Sequence, residues 1–439
     1  MHNFIPITNL YSLFLKTNQS VCTDTRNLIP NSIFFALKGT NFDANEFAEN
    51  AINLGCTYSI VDNPNYLNHP NIFLVENVLI ALQELANYHR KQLTIPVLAI
   101  TGSNGKTTSK ELIYCVLSKK YKTHATFGNL NNHIGVPLTL LGINNTHQFA
   151  IIEMGANHQG EIELLCKIAE PSFGLITNIG KAHLEGFGGI EGVKKGKSEL
   201  YKYIKSKNGK IFINGDDPVL YSLAIDIEKI SYGLKQTNNI IGINNTKSEM
   251  VSLTFRSEIE KNEKNQTTAI NTNIIGTYNF INCLAAVCVG KYFMINDELI
   301  KQALENYFPN NNRSQLIKTQ NNTIILDAYN ANPNSIKVAL ENFSQYKNQN
   351  HLILLGDMFE LGIYSKDEHQ KVLNLLNELN FSEAILVGEE FYKLDVGPFI
   401  KFKTTNECKD YLINNKKSDY IVLIKGSRGM RMETLQEIL

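Results

Sequence analysis

The sequence predicts an α/β protein of three domains. These are a small α/β domain over residues 1–93, a central mostly parallel sheet over 94–310 that carries a phosphate loop, and a Rossmann-like α/β domain over 311–439. Three observations carry that prediction. The chain has 439 residues, enough for about two to four domains with a core each. Short apolar runs ending in Gly, Asn or Asp alternate with segments of helical spacing through most of its length. Finally, "VLAITGSNGKTTSKELI" sets a glycine-rich turn and a lysine between a strand and a helix.

Composition narrows the class. Hydrophobic residues make up 43% and charged residues 19%, ordinary for a soluble globular chain. Lys+Arg and Asp+Glu both number 42, so no net field draws the protein to nucleic acid or to an anionic membrane. No apolar stretch approaches the ~18 residues of a membrane span. The start, "MHNFIPITNLYSLFLK", lacks the basic, apolar and small-residue regions of a signal peptide. Seven cysteines scattered from Cys22 to Cys408 without a C-x-x-C predict core thiols in a reducing compartment, hence the cytoplasm.

The elements follow in order. "SIFFALKG" and "IFLVENV" read as strands of the first domain, closed by the helical "ALQELANYHRK". The linker "QLTIP" ends in a proline, which favours an extended start for the next strand. The central strands are "VLAIT", "FAIIEMG", "FGLITNIG" and "KIFINGDD", with helices such as "GEIELLCKIAE" between them. "MVSLTFRSE" and "TTAINTNIIG" instead alternate polar and apolar residues, the mark of an antiparallel appendage. Alternation resumes with "TIILDAYN", "HLILLGDM", "EAILVGEE" and "YIVLIKGS", separated by helices such as "DEHQKVLNLLNEL". Polar residues gather just after these strands, where doubly wound sheets bind ligands.

The phosphate loop supplies the first candidate site. Gly102 and Gly105 allow a tight turn that points amides inward, and Ser103, Asn104 and Thr108 complete it. Lys106 offers a point charge to terminal phosphates and Thr107 a hydroxyl to Mg²⁺, at the positive end of the following helix. The first glycine of the longer loop pattern would fall at Ile100, so this is the shortened G-x-x-G-K-T form, read as binding ATP. Glu153 and His183 each follow a strand of the same sheet and offer further groups to the site. Lys197 sits in "EGVKKGKSELYKYI", where a bare helix lysine is ordinarily a solvated charge.

Taken together, these stretches resemble the ATP-dependent Mur ligases of cell-wall synthesis over nearly the whole chain. "TDTRNLIPNSIFFALKGTNFDANEF" looks like their N-terminal uridine-nucleotide domain, and "TGSNGKTT", "EMGANHQGEI" and "NIGKAHLEGFGG" like their ATPase. "LDAYNANPNS", "LGDMFELG" and "IKGSRGMRME" are most similar to the branch that adds D-alanyl-D-alanine to UDP-N-acetylmuramoyl-tripeptide. The resemblance implies that a carboxylate attacks the γ-phosphate of ATP and that an amine then displaces phosphate from the acyl phosphate.

It also implies roles for single residues. Lys106 would hold the phosphates, Thr107 and Glu153 a first Mg²⁺, and His183 a second. Lys197 would be carbamylated and orient that metal, with Lys194 and Lys195 as nearby competitors. Asn279 and Asn282 would contact adenine, with Tyr278 where the family usually carries histidine. Arg313, Asp327 and Tyr329 would close on ATP, and Asn330 and Asn332 would face ATP or the dipeptide. Thr25, Arg26, Lys38, Gly39 and Asn45 would contact the UDP-sugar, Asn45 standing where histidine is common. Asn131 and Asn132 would reach the sugar-peptide. The expected assembly is a monomer.

Other readings make different predictions. The diamino-acid-adding relatives carry Asp-Asn-Pro-Arg in their C-terminal domain; here Asp62-Asn63-Pro64 lies in the first domain, precedes Asn65, and reads as a turn. Folylpolyglutamate synthases share the ATPase core but lack a UDP-sugar domain. A P-loop motor or switch would release ADP without an acyl acceptor, and a degenerate nucleotide-binding module would be expected to lose Lys106 or Glu153.

Overall fold

The computed structural model describes residues 3–247, 249–259, 266–346 and 350–439. Three main sheets follow one another along the chain. The first is four-stranded and parallel throughout, in the order Val21–Cys22, Ile33–Phe35, Tyr58–Val61, Ile72–Leu74. A short antiparallel ribbon, Lys38–Gly39 with Phe42–Asp43, stands beside it. Asn77 caps the helix Val78–Gln92 by accepting the Ile80 N–H at 2.9 Å. That helix docks the first unit on the second: Arg90 Nε donates to the Ala169 carbonyl at 2.9 Å and Asn87 to that of Lys167 at 3.0 Å.

The second sheet has nine strands. Val97–Thr101 lies inside it, flanked by Phe149–Glu153 and Phe173–Ile176, all three parallel. Every residue of Val97–Thr101 and Phe149–Glu153 is buried, because helices cover both faces; that is why these strands read as unbroken apolar runs. From Val97–Thr101 the chain moves outward to the edge strand Thr123–Ala125, returns through Phe149–Glu153, then crosses to Phe173–Ile176 and builds in the other direction. The order thus reverses beside Val97–Thr101, leaving a crevice at its carboxyl end.

Beyond Ile240–Asn244, the strands Met250–Ser257 and Thr267–Ile275 pair antiparallel, as their alternation predicts. Burial along Met250–Ser257 alternates residue by residue, one face on the core and one toward solvent.

The third sheet has six strands in the order Gln315–Lys318, Asn322–Asp327, Tyr420–Lys425, Asn350–Gly356, Ala384–Val387, Ile400–Phe402. It is parallel except for Gln315–Lys318, which forms a hairpin with Asn322–Asp327 and is too short to show a pattern in sequence. All seven cysteines are free thiols, six of them buried. Among the described residues, no helix is long and apolar enough to cross a membrane.

Candidate active site

A cavity of about 980 Å³ opens at the crevice and is walled by the second and third sheets. Its floor is the loop from Ser103 to Thr108, delivered by the strand Val97–Thr101 and continued by the helix Lys106–Leu117. Gly105 enters that helix at φ 78°, and Gly102 turns at φ 143°. A Cβ on Gly102 would stand 2.0 Å from Thr177 Oγ1, so the turn depends on the missing side chain. Gly102→Ala is expected to destabilise the protein by about 2–4 kcal/mol, strain and clash together, read as a lowered urea midpoint.

Lys106 folds back over the loop, its Nζ donating to the Gly102 carbonyl at 2.7 Å and to that of Ser103 at 3.3 Å. Burial pulls its pKa down to about 8, opposed by the Glu153 carboxylate and helped by the Arg313 guanidinium. An arriving phosphate would restore the full charge.

Glu153, at the end of its strand, is 1% exposed. Oε1 accepts from Asn131 Nδ2 at 2.7 Å, whereas Oε2 is buried and has no hydrogen-bond partner among the described residues. A lone carboxylate oxygen beside a phosphate loop and the Thr107 hydroxyl fits a hard divalent cation such as Mg²⁺. Asn131, expected to reach the sugar-peptide, lines the same cavity with its amide turned onto Glu153. Its neighbour Asn132 accepts the Gly135 N–H at 2.9 Å and starts the helix Gly135–Leu141 at the rim.

His183 lines the same wall, in the left-handed region at φ 53°, and its Nδ1 is hydrogen-bonded to Glu360 of the third sheet. Lys197 lies one layer behind. It is fully buried on the helix Ile190–Ser206, donating to the carbonyl of the wall residue Ala156 at 3.1 Å, with Phe187 packed over the ammonium. Burial first, and then the Lys106 charge, push its pKa well below that of an ordinary lysine. Lys195 is exposed and Lys194 half-buried. A sequence signal separates them: Lys197 shares the helix's apolar stripe with Val193, Leu200, Tyr201 and Ile204, and the other two do not.

Asn279 and Asn282 begin a helix buried on nearly all sides and line the cavity, but their amides are largely committed. Asn282 donates to Asn279 at 2.8 Å and accepts from Ser109 at 3.1 Å, and it packs where a Gly105 side chain would point. These residues thus brace the phosphate loop. Tyr278 bonds Ser314 Oγ at 2.5 Å, tying the second sheet to the third.

The third sheet supplies the roof. Arg313 lies 3.7 Å from the Tyr329 ring centre, and Arg428, 5.3 Å from it, donates to the Tyr329 hydroxyl at 3.3 Å. Arg313 Nε is buried with no hydrogen-bond partner among the described residues, a donor turned toward an anion site. Lys425 bonds Asp327 at 2.6 Å and the Asn330 carbonyl at 3.3 Å. Asn332 caps the helix Pro333–Phe343 and reaches Asn104 of the phosphate loop at 2.7 Å. A Cβ on Gly180 would come within 2.5 Å of Asn334 Nδ2, so the two sheets meet there without clearance. Lys425, Arg428 and Glu360 carried no individual role in sequence, although all three stand in quoted motifs.

The UDP-sugar candidates are not in this cavity. Thr25, Arg26, Lys38 and Gly39 gather past the carboxyl ends of the first parallel sheet. Lys38 pairs with Asp62 at 2.8 Å, and the exposed Arg26 with Asp24 at 2.8 Å. Asn45 is fully buried, its amide bonded to Asp43 and Asp62, and holds Asp62 toward Lys38. Asn63 accepts the Asn65 N–H and opens a short turn, as that tetrapeptide's composition suggested.

Comparison with known proteins agrees with this geometry. Residues 100–290 match the family model for the Mur ligase middle domain, and residues 312–428 that for the Mur ligase, glutamate ligase domain. UDP-N-acetylmuramoyl-tripeptide–D-alanyl-D-alanine ligase of Bacillus subtilis (strain 168) is 34% identical over 430 residues, covering 94% of this chain and 92% of that protein. MurF from Acinetobacter baumannii superposes with a TM-score of 0.85 at 30% identity, covering 97% of each chain. MurF ligase from Thermotoga maritima, solved in complex with ADP, gives 0.84 at 25% identity, covering 96% of this chain and 97% of its own.

Proposed function

The chain belongs to the Mur ligase family, and from that premise we propose that it joins D-alanyl-D-alanine to UDP-N-acetylmuramoyl-tripeptide. It is an ATP-dependent peptide ligase of peptidoglycan synthesis, producing the pentapeptide, ADP and phosphate. The observation that carries this reading is one cavity holding Lys106, His183 and a Glu153 oxygen without a partner among the described residues, beneath Arg313 and Arg428.

The chemistry follows from those groups. A carboxylate is a poor acylating agent at neutral pH, so the tripeptide's terminal carboxylate must first acquire a leaving group. Its oxygen attacks the γ-phosphorus of ATP, the bond to the β-bridging oxygen breaks, and ADP departs. The dipeptide amine then adds to the carbonyl carbon and loses a proton, and the C–O bond to phosphate breaks. Loop amides, Lys106 and Arg313 hold the oxyanions in line and screen their repulsion. Arg313, Asp327 and Tyr329 would close on the nucleotide from the third sheet, and Asn330 and Asn332 would face ATP or the dipeptide.

Thr107 and Glu153 would hold one Mg²⁺, and His183 with Lys197 a second. Bound there, the metals would draw charge from the γ-phosphate and the attacking carboxylate. Lys197 suits carbamylation because burial disfavours its charged form: the neutral amine can add to CO₂ and release one proton, leaving an anion behind the metal site. Thr25, Arg26, Lys38 and Gly39 would receive the uridine nucleotide on the first sheet, Asn132 would reach the sugar-peptide, and the protein would work as a cytoplasmic monomer.

Isotopic labelling tests the reading. With ¹⁸O in the tripeptide's terminal carboxyl, one labelled oxygen is expected in each orthophosphate released during turnover. Unlabelled orthophosphate would exclude the acyl phosphate, and ADP release indifferent to both substrates would point to a motor or switch.

A further inference from the structure

Glu360 stands in the loop after the strand Asn350–Gly356, on the third sheet, and shares the cavity wall with His183 of the second. Its place is fixed from its own side. The Asp357 carboxylate accepts the backbone N–H groups of Glu390 at 2.8 Å and Phe391 at 3.0 Å. Met358 N–H donates to the buried His369 Nε2 at 3.0 Å, and Phe359 N–H to Ser427 Oγ at 2.9 Å. The loop is thereby pinned to several elements of the third sheet, and Glu360, at φ 60°, projects across the boundary.

On the other side His183 also occupies the left-handed region, and Glu185 N–H donates to the Glu360 carbonyl at 3.2 Å. The result is a carboxylate on one ring nitrogen of the histidine. An imidazole that donates Nδ1–H to a carboxylate carries its free lone pair on Nε2, at a fixed ring angle.

We propose that Glu360 is a positioning residue supplied across the sheet boundary: it sets the tautomer and ring orientation in which His183 can ligate a divalent cation, and does so only while the third sheet is docked. The proposal rests on the reading that His183 is a metal ligand. Its consequence is coupling. Docking of the third sheet raises cation affinity at His183, and by reciprocity the cation favours docking by the same factor.

The test uses the whole protein with a non-hydrolysable ATP analogue and Mn²⁺ as the probe. Affinity is followed by electron paramagnetic resonance and the His183 tautomer by ¹⁵N shifts of its ring nitrogens. Glu360→Gln is expected to weaken the looser Mn²⁺ site about 10- to 100-fold and to deplete the Nδ1–H tautomer. Glu368→Gln is the control, because it removes the partner of Lys181, 2.7 Å away in the same interface, without touching His183. By loosening docking it is expected to cost less Mn²⁺ affinity than Glu360→Gln and to leave the Nδ1–H tautomer at its wild-type level. Equal losses in the two variants would reduce Glu360 to an adhesive contact and overturn the proposal, as would wild-type affinity in Glu360→Gln. Wild-type protein that binds no Mn²⁺ beside the nucleotide would remove the metal reading itself, and the proposal with it.

Discussion

Lys106→Ala is expected to lower turnover by at least about 10³-fold at saturating ATP, the scale on which a buried donor to a developing oxyanion acts. Other cations in the cavity do not substitute for it. Arg313 and Arg428 are held against Tyr329 in the roof, whereas Lys106 rises from the loop that cradles the phosphates. Burial lowers its pKa to about 8, and the negative charge of a nucleotide's terminal phosphate would oppose that shift. Truncation would leave the loop amides facing the anion without a full positive charge. Steady-state ADP release measures the loss, and circular dichroism checks that the variant is folded. A near-normal rate would mean that ATP is not handled by this loop.

Lys197→Ala is expected to cost about 10²-fold, the scale of losing an anion that orients a metal ligand set. Formate or acetate should restore part of the rate by occupying the space the carbamate leaves. The competing assignments make a clear contrast. Lys195 is exposed and Lys194 half-buried, so their alanine variants should keep near-normal turnover and gain nothing from added acid. Lys197 alone of the three is enclosed, against Ala156 and Phe187. A fully active Lys197→Ala would take the carbamate out of the mechanism.

Most of the fold was legible because the information is local. A buried parallel strand declares itself as an apolar run, and the antiparallel Met250–Ser257 and Thr267–Ile275 as alternation. The phosphate loop was legible for the same reason, since strand, turn and helix are contiguous. What resisted reading depends on residues far apart in sequence. Nothing near Asn131 indicates that its amide turns onto Glu153, 22 residues away, rather than outward. Nothing near Asn45 reveals that Asp62 takes up its donor. The Tyr329 cluster joins Arg313 to Arg428, brought together by the parallel pairing of Asn322–Asp327 with Tyr420–Lys425. Lys197 is the intermediate case: its place on an apolar helical stripe was present in the sequence, and three-dimensional enclosure makes it decisive.

A methyl group on Gly180 would press on the side-chain amide of Asn334. A side chain larger than hydrogen at position 180 therefore fits only if the Asn334 amide swings aside, so that one rotamer at the mouth of the helix Pro333–Phe343 sets how closely the two halves of the cavity approach.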